Sequence, residues 1–345
     1  MRIEVLPEGE ASAAEWDGFV AREPGATCYQ LSGWREVGRR AYGLQAPWLV
    51  AREGSAVEGV LPLFVVRSTP LSSYATTGLF GAYGPLLARS PEAGRALIAA
   101  ARERTARAGA RFLVMKSFAD EPFAAGFEKV DRWVVAKLSL PADPDQLWRS
   151  FKDKQRNAIR KGQKAGFELR RGPDQLEPFY DVLAENMHDK GSPIYGVEVL
   201  RQMLRALGPI ADVTTLRHGG AVVAGALTLS WQGTVTVPFA SSRPAALHLN
   251  PNNHLYWELI SRACRDGMKT FDFGRSLRDS TALAFKLRFG AETVGQPFWV
   301  STVRGASPGF DPAAPGVRAL TRLWRALPRP VADALGPSVC RRWLA

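Results

Sequence analysis

The feature that most constrains the fold is a series of elements that the sequence contains twice. Residues 48–63 have the pattern of a two-stranded hairpin, and residues 213–229 repeat it. The aligned positions are Val57 with Val223, Gly59 with Gly225, Leu61 with Leu227, and Leu63 with Leu229. A repeat of this length indicates two related structural units in tandem.

Each copy continues with a helix and a short apolar strand. Ser90-Pro91 opens one helix, with serine as the N-cap and proline at the first helical position, and Asn250-Pro251 opens the other in the same way. The helices lead into predicted strands at 111–115 and 270–273. The sequence therefore predicts an α/β (α+β) fold of two similar domains; the alternative is that common hairpins and Pro-initiated helices coincide by chance.

Between and after the two copies the pattern changes. A predicted strand at 134–140 is followed by a basic helix that extends to Gly166, so a domain boundary is expected at 141–150. Pro- and Gly-rich segments at 307–309 and 312–316 predict a linker. We therefore expect one domain at 1–145, a second at 146–305, and a linker with a short basic tail at 306–345.

The tail contains a predicted basic amphipathic helix at 317–327. Its apolar face consists of Leu320, Leu323, Trp324 and Leu327, and its arginines lie opposite at 318, 322, 325 and 329. Such a helix can lie on an anionic membrane or dock its apolar face on the protein's own core. We expect it to dock, and membrane contact is the alternative.

The composition of the 345-residue chain argues against several classes of protein. No stretch approaches the ~18 consecutive apolar residues of a membrane span, and the N-terminus lacks the apolar region of a signal peptide. The three cysteines are scattered, and none of the four histidines has zinc-site spacing. We therefore expect a cytoplasmic protein with neither a disulfide framework, a metal nor a bound cofactor.

The net charge of +12 favours an anionic partner. Candidates are nucleic acid such as tRNA, a nucleotide-linked or lipid-linked precursor, and an acidic membrane surface at which the protein would be peripheral. Residues 152–171 hold eight Lys or Arg against two acids, and residues 318–345 hold six Arg against one Asp. Either run can also be a solvated face without a partner.

The candidate chemistry is concentrated in residues 271–290. Arg275 lies on a glycine-containing turn after a short apolar strand, and Lys286 follows Phe285 in an apolar setting. Burying a cation among aromatic residues is costly unless it meets an anion, so a charged substrate or a developing oxyanion is a natural partner. The alternative is a structural ion pair of Arg275 with Asp272 and a lysine whose stem packs on Phe285.

Five motifs between residues 148 and 290 extend this pattern. They are Trp148…Arg156-Asn157-Ala158-Ile159-Arg160-Lys161…Gly166, Lys190-Gly191-Ser192-Pro193-Ile194-Tyr195-Gly196, Asn252-Asn253-His254-Leu255-Tyr256-Trp257-Glu258, Asp272-Phe273-Gly274-Arg275-Ser276 and Phe285-Lys286…Phe289-Gly290. The motifs resemble those of the FemABX group, the tRNA-dependent aminoacyltransferases related to GNAT acyltransferases. The chain is most similar to the FemAB-like proteins associated with exosortase/PEP-CTERM systems, over roughly residues 1–300.

The resemblance implies two tandem GNAT-like domains, with the active site in the second, and transfer of an acyl or aminoacyl group to an amine. It places Lys286 at the transferring carbonyl, where a preorganised cation stabilises the tetrahedral oxyanion. Arg275 would clamp a phosphate or carboxylate bidentately, and Asp272 would orient it or accept a proton. The further substrate-binding candidates are Ser276, Asn253, Tyr256, Tyr195, Arg156, Lys161 and Phe285, of which Tyr256 is also typical of a core residue.

Two departures from the related families bear on the co-substrate. The Arg/Gln-x-x-Gly-x-Gly/Ala signature for the pyrophosphate of acyl-CoA is missing from residues 241–252, which favours an aminoacyl-tRNA donor. No long coiled-coil arm is visible, so contact with tRNA as some cell-wall enzymes make it stays open. The basic run could bind the acceptor stem, a lipid-phosphate-linked sugar, or only water.

The expected function is transfer of a tRNA-borne aminoacyl group to an amine of a cell-envelope or exopolysaccharide precursor. One alternative is an acyl-CoA-dependent GNAT N-acyltransferase that acts on an amino sugar. The other is a non-catalytic scaffold that holds polysaccharide machinery at a membrane surface.

Overall fold

The computed structural model describes residues 3–5, 12–67, 73–118, 125–305 and 315–341, which form two compact units. The first unit contains the described residues up to Trp133 together with 295–305 and Arg341. The second contains Val134–Val294 and 315–340. This division differs from the predicted domains 1–145 and 146–305, because a strand before residue 145 joins the second unit and one after residue 295 joins the first.

The described residues of the first unit form two sheets and three helices. The four-stranded sheet has the order β1-β2-β3-β6, with strands Glu4–Val5 (β1), Leu49–Glu53 (β2), Ala56–Leu61 (β3) and Leu87–Ala88 (β6). The five-stranded sheet has the order β4-β5-β7-β16-β8, with strands Phe64–Val66 (β4), Tyr74–Thr76 (β5), Phe112–Lys116 (β7), Glu128–Val130 (β8) and Phe298–Thr302 (β16). The helices are Ala13–Val20 (α1), Gly33–Tyr42 (α2) and Pro91–Arg107 (α3).

The second unit is built on one sheet of seven strands, in the order β10-β11-β12-β13-β14-β9-β15. These strands are Trp133–Ser139 (β9), Glu168–Arg171 (β10), Ala211–His218 (β11), Ala221–Trp231 (β12), Thr234–Ser242 (β13), Thr270–Leu277 (β14) and Glu292–Gly295 (β15). Its helices are Pro144–Ser150 (α4), Asp153–Lys164 (α5), Leu176–Asp189 (α6), Val197–Leu207 (α7), Pro251–Arg265 (α8), Thr281–Leu287 (α9), Pro315–Ala326 (α10) and Arg329–Cys340 (α11).

The repeated elements predicted from the sequence are confirmed in both units. The hairpins are β2–β3 and β11–β12, the helices are α3 and α8, and the strands after these helices are β7 and β14. In each unit the strand after the helix is parallel to one neighbour: β7 pairs with β5, and β14 pairs with β13. The predicted α/β fold with two similar units is therefore correct.

Helices cover both faces of the seven-stranded sheet. On one face α8 buries Leu255 and Ile260 against a core that includes Phe271 and Phe273 of β14. On the other face α6 lies so close to β12 that a Cβ at Gly225 would be 2.7 Å from the Phe179 ring. The glycine of the repeated hairpin therefore permits close helix–sheet packing in this unit.

Four local expectations need correction. The predicted strand at 134–140 is β9 of the second unit, and the basic segment forms two helices, α4 and α5. Asn250 has a left-handed conformation with a φ of 58° and makes no side-chain cap, unlike Ser90, whose hydroxyl accepts the Ala93 N–H. The predicted linker at 307–309 and 312–314 lies outside the described residues, whereas Pro315 and Gly316 begin α10.

The tail helix is present, but its docking is only partial. Trp324 and Leu327 are half-buried, whereas Leu320 and Leu323 are each 64% exposed. The expectation that the whole apolar face docks on the protein is therefore wrong for these two leucines. No helix in the described part of the chain is long and apolar enough to cross a bilayer.

Candidate active site

The candidate site lies where the two parallel strands β13 and β14 separate. Their backbone pairing covers only Thr234–Thr236 against Thr270–Asp272, although β13 continues to Ser242 and β14 to Leu277. Beyond the last pair the backbone groups that face this gap are not used in a ladder between the two strands. Ligands of open α/β sheets bind at the carboxyl ends of parallel strands, so this gap is the expected place for a substrate.

A glycine sets the geometry at the point of separation. Gly274 has a φ of 73°, and a Cβ there would lie 2.8 Å from the carbonyl oxygen of Val237 on β13. Its N–H donates to Oδ1 of the buried Asp272 at 2.8 Å. Because only glycine accepts both this conformation and this contact, the sequence Asp272-Phe273-Gly274 fixes the turn in β14. Asp272 therefore orients the backbone of this turn directly.

Lys286 reaches the same turn from α9. The hydroxyl of Ser280 caps this helix by accepting the Leu283 N–H at 3.1 Å, which places Lys286 in the last turn. The lysine is 8% exposed, and its ammonium donates to the carbonyl oxygens of Gly274 at 2.9 Å and Arg275 at 3.2 Å. An ammonium has three N–H groups, and among the described residues only these two acceptors bind it. One N–H of the ammonium therefore has no acceptor among the described residues.

Burial also changes the acidity of this lysine. Removal from water lowers the pKa of Lys286 to about 8, and the nearby charge of Asp272 acts in the opposite direction. At neutral pH the side chain is still mostly an ammonium, so it remains a cation that can stabilise a developing oxyanion.

Arg275 lies close to Tyr195, which comes from the loop between α6 and α7. Burial raises the pKa of Tyr195 to about 12, while the charge of Arg275 lowers it. The Tyr195 ring packs edge-on against Phe239 of β13 at 6.0 Å, and its carbonyl accepts the Tyr180 hydroxyl at 2.8 Å. The charge of Arg275 on β14 therefore acts on the phenol of this loop.

Ser276 continues β14 beyond the lysine. The residue is 7% exposed, and its Oγ is buried without a hydrogen-bond partner in the described chain. Since buried hydroxyls are nearly always satisfied, a bound ligand is a reasonable partner for this oxygen.

Tyr256 and Phe285 lie in the apolar core. The Tyr256 ring stacks on Phe273 at 5.4 Å and meets the Phe285 ring edge-on at 5.4 Å. Phe289 lies 5.4 Å from Phe285, again edge-on. Tyr256 and Phe285 therefore support β14 and α9 from the core side, and their assignment as substrate-binding residues stays a prediction.

Asn253, Arg156 and Lys161 belong to the contact between α5 and α8. Asn253 donates to Oε1 of Gln155 at 3.4 Å, Arg156 is paired with Asp153, and Lys161 is exposed. The structure gives these three residues no contact with Lys286, Arg275 or Tyr195 among the interactions described. They are candidates for a separate anion-binding surface.

The start of α8 is closely covered by α5. A Cβ at Gly162 would lie 2.8 Å from the His254 Cβ and 2.9 Å from the Asn250 carbonyl oxygen. Pro251 at the first helical position has no N–H to offer an anion. A helix N-terminus that binds pyrophosphate needs accessible N–H groups, and α8 offers few.

The sequence analysis missed a cluster of charges beside the site. Arg243, which comes directly after β13, pairs with Asp181 and Glu185 of α6, and Arg329 of α11 pairs with Asp181. The two acids stand four residues apart on one helix face, which is visible in the sequence. Their partners come from distant segments, so the spacing alone could not identify the cluster. No group of three or more potential metal-ligating His, Cys, Asp or Glu side chains occurs among the described residues.

Residues 149–286 match the family model of the acetyltransferase (GNAT) domain. The matched segment lies within the second unit. This match covers the strand separation, Arg275 and Lys286, and it confirms the expectation that the protein is an acyltransferase. No curated protein sequence matches the chain.

Solved structures of other proteins share the fold over most of the chain. FemX matches at 16% identity with a TM-score of 0.67, covering 87% of this chain and 97% of FemX. A tandem GNAT protein from the clavulanic acid biosynthesis pathway matches at 16% identity and a TM-score of 0.57, covering 89% of this chain and 100% of that one. At such identities the likeness establishes the fold, here a tandem GNAT architecture.

A third structure shares the fold as well. It is the C-terminal domain (DUF2156) of an Agrobacterium fabrum protein assigned as a lysylphosphatidylglycerol synthetase. The identity is 14% and the TM-score 0.55, over 91% of this chain and 96% of that one.

Proposed function

We propose that the protein transfers an aminoacyl group from tRNA to an amine of a cell-envelope or exopolysaccharide precursor. The observation that carries this proposal is the ammonium of Lys286, which binds two β14 carbonyls just beyond the last residue that pairs with β13 and has one N–H left over. In this position the cation can stabilise an oxyanion that forms on a carbonyl inserted between the strands. Arg275 and Ser276 then bind neighbouring polar groups of the substrate.

The reaction takes the ordinary course of ester aminolysis. The acceptor amine attacks the ester carbonyl of the aminoacyl-tRNA, and the carbonyl oxygen becomes negative beside Lys286. A C–N bond forms, the C–O bond to the ribose breaks, the ribose oxygen takes up a proton, and the nitrogen releases one to solvent. Lys286 acts electrostatically and needs to transfer no proton.

The covered start of α8 supports aminoacyl-tRNA over acyl-CoA as the donor. The segment that leads into α8 is poor in glycine, and Pro251 occupies the first helical position. The close packing of Gly162 against the start of α8 then leaves little room for a pyrophosphate. The fold likeness to FemX and to a synthetase whose name describes lysine joined to a phospholipid supports the same chemistry. The similarity to exosortase-associated FemAB-like proteins supports an exopolysaccharide or peptidoglycan precursor as the acceptor, on the cytoplasmic side of the membrane.

The test is mass spectrometry of candidate acceptors after incubation with two donors. One reaction contains isotope-labelled aminoacyl-tRNAs and the other acetyl-CoA, each with a nucleotide-linked muropeptide and a nucleotide-linked amino sugar. We expect an aminoacyl adduct only with charged tRNA, and none with the Lys286→Met protein. An acetylated amino sugar together with a saturable thermal shift by acetyl-CoA would instead establish the acyl-CoA enzyme, which the family model's name favours.

A further inference from the structure

The helix α10 presents leucines to solvent beside unpaired arginines. Leu320 and Leu323 are each 64% exposed and Val317 is 42% exposed, which makes these two leucines the most exposed large apolar residues of the described chain. Arg318, Arg322 and Arg325 are exposed on the same helix. We propose that α10 docks the protein onto an anionic lipid bilayer, an interaction that goes beyond the proposed transfer reaction.

The docked side of α10 is a different one from the leucine side. Thr321 and the half-buried Trp324 face the second unit, and Thr321 packs on the loop after α6, where a Cβ at Gly191 would lie 2.7 Å from its Cγ2. At 100° per residue, Leu320 lies about 70° and Leu323 about 130° from the midpoint of these contacts, and both side chains are 64% exposed. The leucines therefore stay uncovered when the helix is seated on its own protein, and burying them needs another apolar phase.

The arginines of α10 indicate which apolar phase would bury these leucines. No carboxylate lies within ion-pair distance of Arg318, Arg322 or Arg325 among the described residues, and α10 itself contains no acid. The described part of the tail, 315–341, has five arginines and one aspartate. Exposed apolar side chains flanked by unneutralised arginines match the acyl boundary and phosphate headgroups of an anionic leaflet. A partner protein would have to supply both an apolar groove and several acids.

The length of α10 fits a helix that lies in the interface. Its 12 residues span about 18 Å, which is shorter than the ~30 Å core of a bilayer. Such a helix rests in the plane of the headgroups with its apolar side inserted. The next helix, α11, adds Val331 and Leu335, which are 43% and 48% exposed.

The tail is attached to the loop that carries Tyr195. At the start of this loop, the His188 ring lies 2.8 Å from the Leu327 carbonyl oxygen. At its end, a Cβ at Gly336 of α11 would lie 2.9 Å from the Ile194 carbonyl oxygen. A bilayer bound by α10 would therefore lie against the same segment that positions Tyr195 beside Arg275, which suits an acceptor linked to a lipid.

The experiment is co-sedimentation of the full-length protein with vesicles at about 150 mM salt, where weak surface attraction is largely screened. One vesicle type is pure phosphatidylcholine, and the other contains roughly one third phosphatidylglycerol. We expect binding to the anionic vesicles only. The Leu320→Ser, Leu323→Ser double variant should lose about tenfold or more in partitioning, whereas the control Leu169→Ser, Leu247→Ser, which changes leucines 38% and 50% exposed outside the tail, should bind like the parent protein.

A second pair of variants tests the charge. Replacing Arg318, Arg322 and Arg325 by glutamine should reduce binding to anionic vesicles about fivefold per arginine, roughly a hundredfold in all. The control replaces Arg40, Arg95 and Arg107 by glutamine. These three arginines of the first unit are exposed, and their replacement also lowers the net charge from +12 to +9. The control should retain most of the binding.

Three outcomes would overturn the proposal. One is an absence of vesicle binding by the parent protein, and another is equal loss of binding in the tail variants and their controls. The third is a dimer in light scattering that the leucine variant converts to a monomer while vesicle binding stays the same, because the leucines would then join two copies of the chain. Thermal melts confirm that each variant is folded.

Discussion

Each unit buries a lysine near the end of its parallel strand pair, Lys116 from β7 itself and Lys286 from the helix α9, but the chain beyond the paired strands runs differently in the two units. In the first unit the chain after β5 returns alongside β7: the Thr77 N–H donates to the Val114 carbonyl at 3.1 Å, and the Gly84 N–H donates to the Lys116 carbonyl at 3.0 Å. The fully buried Lys116 donates to the Gly78 carbonyl of this loop at 2.7 Å and lies 5.6 Å from the Phe298 ring. The loop thus takes the place that a substrate would occupy.

In the second unit the corresponding place is left open. After Asp272 the strand β14 turns at Gly274 and continues as a strand, while β13 diverges from it. Lys286 binds the backbone of this turn from a separate helix. A buried lysine at the end of a parallel strand pair is therefore no evidence of catalysis by itself. The path of the chain beyond the paired strands decides whether the lysine only stabilises the fold or can face a substrate.

The largest expected effect distinguishes the two lysines. Lys286→Met should lower kcat by about a hundredfold or more, because it removes the cation at the oxyanion, while circular dichroism shows a folded protein. Lys116→Met should instead lower the free energy of unfolding by roughly 1–3 kcal/mol, since it removes the shorter of the two hydrogen bonds to the Gly78 carbonyl and leaves only that from the Thr76 hydroxyl. Its kcat, measured on the folded fraction, should stay within about twofold of the parent value. A large loss of kcat in the Lys116 variant would show that the first unit also takes part in the chemistry.

The pH dependence should give opposite signs for activity and stability. If the ammonium of Lys286 is the active form, kcat falls about tenfold per pH unit above its pKa of about 8. Stability should move the other way. The folded-state pKa lies below the ordinary 10.5, so between pH 8 and 10.5 the unfolded chain binds more protons and the free energy of unfolding rises with pH. The Lys286→Met protein should lack this contribution to the slope of its urea-denaturation midpoints. A kcat that rises through pH 8 would instead make neutral Lys286 a base.

These predictions rest on features that the sequence shows to different degrees. The repeat, its hairpins and its helices arise from local patterns and were all predictable, as was the position of Lys286 and Arg275 on neighbouring elements. The exchange of β9 and β16 between the two units was not, because a strand's pattern does not say which sheet it joins. Likewise the sequence shows Gly274, but only the approach of the Val237 carbonyl explains why a side chain is excluded there. The exposure of Leu320 also depends on which residues of α10 meet Gly191.

A smaller effect is expected from a substitution in the β14 turn, at the point where β13 and β14 separate. Gly274→Ala places a Cβ 2.8 Å from the Val237 carbonyl at a φ of 73°, so the strand must shift. We expect about a tenfold loss of kcat, since the turn holds the carbonyls that bind Lys286. The matched control is Gly267→Ala, which has nearly the same φ, 75°, with no atom within 4 Å of the added Cβ. Both variants should lose about 1–2 kcal/mol of stability from the backbone conformation alone, and only Gly274→Ala should lose activity beyond that.

The smallest effect concerns which unit binds the anionic donor. Lys161 lies exposed on α5 of the second unit, and Arg104 lines an open groove of about 470 Å³ in the first unit together with Arg39, Arg67 and Arg107. If the donor tRNA lies on the catalytic unit, Lys161→Gln should raise its KM about two- to fivefold at low salt, and the increase should shrink at higher salt because the variant makes one phosphate contact fewer. Arg104→Gln should leave KM nearly unchanged. The reverse result would assign donor binding to the arginine groove of the first unit. The second unit would then supply only the residues of the transfer reaction.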